Sequence, residues 1–68
     1  MTEPKLSTIT LDQFLKQIGV VSSGGQAKVL IQAGEVLLNG IVEVRRGKKL
    51  VAGDRITFAG EHFQVPSE

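Results

Sequence analysis

A chain of 68 residues, 41% hydrophobic, with a formal net charge of +1 and no cysteine, holds one small domain with a thin core. Disulfides and thiolate metal sites are excluded, and no apolar run exceeds three residues, far short of a membrane span. A reducing cytoplasm is the expected compartment.

Residues 1–9 are expected to form a flexible N-terminal tail, because the stretch is mostly polar, contains Pro4 and lacks the apolar centre of a secretory signal. A first helix follows. Thr10 is a good N-cap with Gln13 at capping-box spacing, and Ile9 and Phe14 stand at the two positions of a hydrophobic staple. Leu11, Phe14, Leu15 and Ile18 recur at the period of one buried helical face. Gly19 is placed to end the helix in the left-handed conformation. A second helix repeats the device, with Ser23 as N-cap, Gln26 as its capping-box partner, Ala27, Leu30 and Ile31 as its apolar face, and Gly34 as its stop. The period then changes to that of strands. "EVLLNGIVEV" reads as two strands around an Asn39-Gly40 turn. "DRITF" is a third strand, "AGEH" a turn and "FQV" a short fourth. The expected fold is α+β, two short helices packed on an antiparallel sheet of about four strands, over residues 10–65, with 66–68 as a C-terminal tail. The expected core is Leu11, Phe14, Leu15, Ile18, Ala27, Leu30, Ile31, Val36, Leu38, Leu50, Ile56 and Phe58.

Four cations, Arg45, Arg46, Lys48 and Lys49, are crowded around Gly47. Without them the net charge falls from +1 to −3, so the positive charge is local. Such a patch attracts an anionic partner without making the whole surface basic. One reading is a phosphate-contact site, in which arginine binds bidentately and lysine acts as a point charge. The other is a solvated loop that aids solubility. The acids nearest in sequence, Glu43 and Asp54, are too few to neutralise the cluster. If each cation neutralises one phosphate, the logarithmic salt slope of binding is roughly −3 to −4.

The first two positions of the second helix are Gly24 and Gly25, each disfavoured by about 1 kcal/mol relative to alanine. Two readings are open. A bare helix N-terminus offers N–H groups to a phosphate, or a tight corner between helices requires small residues. Gln26 and Lys28 lie off the apolar face and extend the same polar surface.

Nothing in the chain has the spacing of a catalytic or metal site. His62 is the sole histidine and falls in the expected turn, and no paired carboxylates or phosphate-binding loop are present. No cofactor or small-molecule substrate is expected. The aromatic residues are three phenylalanines, two of them on core faces, which argues against a base-stacking platform.

The run "LDQFLKQIGVVSSGGQAKVLIQAGEVLLNG", a basic spacer and "LVAGDRITF" together resemble the S4 RNA-binding domain over residues 10–60. That family includes a small-subunit ribosomal protein, tyrosyl-tRNA synthetases and pseudouridine synthases. "SGGQAK" combined with "EVRRGKKL" is similar to its small stand-alone bacterial members, the YbcJ-like proteins. The resemblance implies an αL-type fold and a monomeric, non-catalytic module for structured RNA such as rRNA or tRNA. It places the RNA contacts at Ser23, Gln26, Lys28, Arg45, Arg46, Lys48 and Lys49, and the bare-helix-start reading adds Gly24 and Gly25 to the expected site. Many members carry arginine directly after the serine that opens the second helix. Gly24 stands there instead, which implies that one family phosphate contact is missing and that the basic cluster compensates. A protein-docking adaptor using the same patch on an acidic or ribosomal protein is the alternative.

Overall fold

The computed structural model describes residues 9–66. Eight elements follow in chain order: β1 (Ile9–Thr10), α1 (Leu11–Gln17), α2 (Gly24–Gln32), β2 (Val36–Leu38), β3 (Ile41–Val42), β4 (Lys49–Leu50), β5 (Arg55–Phe58) and β6 (Glu61–Gln64).

Local chemistry sets the limits of both helices. At the start of α1 the Gln13 side chain returns to the Thr10 N–H at 3.2 Å. Asp12 also accepts the Gln13 N–H, at 2.8 Å. At the start of α2 the Ser23 hydroxyl oxygen accepts the Gln26 N–H at 3.2 Å. Gln26 does not return to Ser23 as expected, because its side-chain oxygen accepts from the N–H and hydroxyl of Ser22, at 2.8 and 3.0 Å. Both helices end in the paired hydrogen bonds of a Schellman motif, with Gly19 (φ +84°) and Gly34 (φ +81°) left-handed, as anticipated.

A four-stranded antiparallel sheet has the order β3-β2-β5-β6. Asn39 and Gly40 both have positive φ and close the β2–β3 hairpin, as type I′ turns require. Asn39 also accepts the Arg55 N–H and donates to Asp54, so the turn is fastened to β5. The β5–β6 hairpin closes at Ala59-Gly60, again with both φ positive. Glu61 and His62 therefore belong to β6 and not to a turn, and His62 Nδ1 lies 2.9 Å from the Thr57 hydroxyl.

A second, two-stranded sheet was not foreseen. β1 pairs antiparallel with β4, Ile9 opposite Leu50 and Thr10 opposite Lys49. Ile9 is thus part of the fold, and the rest of the expected N-terminal tail lies outside the described residues, as do residues 67 and 68.

The helices pack on one another and, with Val36 and Ile56 of the sheet, enclose the core. Leu11, Phe14, Leu15, Ala27, Ile31, Val36, Leu50 and Ile56 are buried, as expected. Ile18, Leu30, Leu38 and Phe58 are only half-buried and pack against that core. Val21, outside any periodic run, and Val65, at the end of the expected fourth strand, complete it. No helix among the described residues is long and apolar enough to cross a membrane.

Candidate nucleic-acid interface

The basic cluster is a β-turn between β3 and β4, closed by the Lys48 N–H on the Arg45 carbonyl at 3.2 Å. Gly47 is not left-handed, and an added Cβ there would meet nothing within 4 Å, so the turn does not depend on glycine. What fixes it is α1. The first N–H groups of a helix have no partner within the helix. Here Leu11 donates to the Lys48 carbonyl at 2.8 Å and Asp12 to the Arg46 carbonyl at 3.1 Å. With the β1–β4 pairing, these bonds pin the backbone of the turn while leaving Arg45, Arg46 and Lys49 exposed and Lys48 half-buried.

The four cations are not equivalent. The Arg45 guanidinium grips Glu43 through two N–H groups, Nε to Oε2 at 2.9 Å and Nη2 to Oε1 at 3.3 Å. The Arg45 side chain is nevertheless 68% exposed. Arg46 Nε lies 3.3 Å from Asp12 Oδ2, an ion pair brought together across 34 positions of the chain. Two cations of the cluster are therefore held by carboxylates, Glu43 and, unforeseen, Asp12 of α1, so the acids engage half of the cluster and do not neutralise it. Lys48 and Lys49 make no ion pair among the described residues. Lys49 is exposed, because its neighbour in β4, Leu50, takes the inward position.

These pairings shift the acids. Hydrogen bonds from the side chain and backbone of Arg45, aided by the charges of Arg45 and Lys48, hold Glu43 at a pKa of about 2. Partial burial pushes Asp12 upward. The Thr10 hydroxyl, the Gln13 N–H and the Arg46 charge outweigh it and keep Asp12 below the ordinary value.

The start of α2 forms a second group. A Cβ on Gly24 would meet nothing within 4 Å, and one on Gly25 would meet only the Ser23 hydroxyl at 4.0 Å. Neither glycine has positive φ. The tight-corner reading is therefore overturned, since the helices do not require glycine here. The Gly24 and Gly25 N–H groups have no acceptor among the described hydrogen bonds, whereas Gln26 and Ala27 donate to Ser23. Lys28 is exposed. The Ser23 hydroxyl hydrogen, the Gln26 amide N–H2 and Lys28 add donors, so the whole group suits an anion.

The structure thus sorts the nine expected residues into two donor groups, one at the start of α2 and one on the turn pinned to α1. No described hydrogen bond or ion pair joins them. Sequence reasoning missed the roles of Glu43 and Asp12. Glu43 stands two residues before Arg45 and was open to view, whereas Asp12 reaches Arg46 only through the tertiary fold. Among the described residues no group of three or more His, Asp or Glu side chains is gathered to hold a metal.

The S4 domain family matches residues 3–66. The Escherichia coli (strain K12) protein named "Putative RNA-binding protein YbcJ" is 44% identical over 57 residues, spanning 84% of this chain and 81% of that protein. The Bacillus subtilis (strain 168) protein named "Probable ribosome maturation protein RlbA" is 48% identical over 58 residues, spanning 84% of this chain and 82% of its own length. The solution structure of E. coli YbcJ, described as revealing an αL motif involved in RNA-binding, superposes with a TM-score of 0.68. The two chains are 41% identical, and the match covers 94% of this chain and 81% of that one.

Proposed function

The chain belongs to the S4 domain family, and on that footing we propose that it is a non-catalytic module that binds structured RNA, ribosomal or tRNA-like, as a cytoplasmic monomer. The observation that carries the reading is the basic turn. Its backbone is pinned by α1, while Lys48 and Lys49 stand without a carboxylate partner. A fixed backbone lowers the ordering cost that binding otherwise incurs. The names of the two relatives and the description of the YbcJ structure point the same way. In this reading Lys48 and Lys49 meet phosphates directly, Arg45 and Arg46 flank them, and Ser23, Gly24, Gly25, Gln26 and Lys28 hold a further phosphate at the start of α2. Phosphate contacts position an RNA without reading its bases, so recognition rests on shape.

Co-purifying nucleic acid tests this. Protein isolated at low salt should show absorbance shifted toward 260 nm, and nuclease with high salt should restore the protein spectrum. Changing Lys48 and Lys49 to glutamine should abolish the shift. Preparations free of nucleic acid at low salt, combined with no affinity for a folded RNA, would reject the reading.

One observation favours a second reading. Ile41, Val42 and Val44 are all more than half exposed or at half, with Ile41 at 73%, and they lead directly into the basic turn. An apolar run ending in cations suits an acidic protein surface, and retention of an acidic ribosomal protein after nuclease treatment is its signature.

A further inference from the structure

Glu43 fills the fork of Arg45 in the way that a phosphate would. Both carboxylate oxygens are engaged, and Glu43 Oε2 also accepts the Arg45 backbone N–H at 3.1 Å. A guanidinium matches carboxylate and phosphate with the same planar pair of N–H groups. We infer that Glu43 is an internal competitor for the RNA phosphate at Arg45, and that this competition makes the site select RNA with closely spaced phosphates.

The inference rests on the proposed RNA-binding function and adds a specificity-determining residue to it. Binding at Arg45 is then an exchange. A phosphate displaces the carboxylate, and Glu43 is left facing the incoming anion. One isolated phosphate gains little by this, because it replaces one anion with another. A folded RNA holds two or more phosphates within reach of the turn. Lys48 and Lys49 attract it first, and the raised local concentration then favours the exchange at Arg45. A single strand, with its lower charge density, gives less of that support. Asp12 plays the weaker form of the same part at Arg46, through one contact at 3.3 Å. It also caps the start of α1, so Glu43 is the cleaner residue to test.

The test is Glu43→Gln. Glutamine keeps an acceptor for the Arg45 backbone N–H and removes the charge. Wild type and variant are titrated with a hairpin RNA and with an unstructured oligo-U of equal length, at several salt concentrations. Removing one like charge a few ångströms from a phosphate should raise affinity roughly threefold to tenfold at about 50 mM salt. The gain should be larger for oligo-U than for the hairpin, and the salt slope should steepen by roughly 0.7 to 0.9. Equal or weaker RNA affinity in the variant would overturn the inference and make Glu43 a positioning residue for Arg45. A second readout separates this from failure of the RNA reading itself. Inorganic pyrophosphate should shift the Arg45 Nε–H resonance at lower concentration in Glu43→Gln than in wild type. That shift without any RNA binding by either protein retains the competition and rejects RNA as the ligand. Identical pyrophosphate titrations reject the competition.

Discussion

Gly25 occupies the second position of α2, in a first turn that carries no acidic residue. A side chain there meets only the Ser23 hydroxyl at ordinary contact distance, so substitution is free of steric cost. Gly25→Glu should therefore raise stability by about 1 kcal/mol, from better helix propensity and a favourable charge at the positive helix end. The same charge stands where a phosphate is proposed to sit, so RNA affinity should fall. Thermal melting and RNA titration of one variant check both signs. Loss of stability would reinstate a structural demand for glycine, and unchanged affinity would remove the start of α2 from the interface. Glu43 supplies a second residue-scale prediction. Its folded pKa of about 2 lies below its ordinary 4.5, so its contribution to stability is present above about pH 5 and lost as the pH falls through 2. Asp12 acts in the same direction from its ordinary 3.8. Denaturant midpoints followed from pH 6 to pH 2 should fall further for wild type than for Glu43→Gln, converging at the acid end. Parallel curves would show that the Arg45 pair adds nothing to folding.

Among the elements, α1 has a role that its seven residues do not suggest. It buries Leu11, Phe14 and Leu15 in the core, and its first N–H groups hold the carbonyls of the basic turn. The helix start thus serves the turn's backbone and is closed to an external anion, unlike the start of α2. Within α2 the burial is unequal. Ile31 is fully buried, whereas Leu30 is half-buried. Ile31→Ala should cost about 2 to 5 kcal/mol, and Leu30→Ala distinctly less. Equal losses in urea denaturation would contradict this packing. The helices, their glycine stops and the Asn39-Gly40 hairpin were legible because each rests on residues a few positions apart. The β1–β4 pair was not, because two residues of strand carry no period and their partners lie about 40 positions away. The turn read over "AGEH" contains the Ala59-Gly60 turn but runs on into β6, because the polar pair Glu61 and His62 carries no strand signal.

At the scale of the whole molecule, an acidic body carries one basic turn, and the fold decides how much of that charge is available. The turn displays four cations, but the structure engages Arg45 and Arg46 with carboxylates of the same chain. When a phosphate displaces such a carboxylate, the freed anion regains a counterion, and the net release of ions is small. The salt slope due to the turn should therefore be set by Lys48 and Lys49, roughly −1.4 to −1.8 for two phosphates, and not by all four cations. In the proposed function these unpaired lysines on a pinned turn carry the phosphate contact. The most direct test is the salt dependence of affinity for a structured RNA, measured for wild type and for the Lys48→Gln, Lys49→Gln double variant. Neither lysine makes an ion pair among the described residues, so melting should be nearly unchanged. The expected result is a slope shallower in the variant by roughly 1.4 to 1.8, with affinity lowered about equally across RNA sequences. Unchanged slope and affinity, with the fold intact, would remove Lys48 and Lys49 from the phosphate contact.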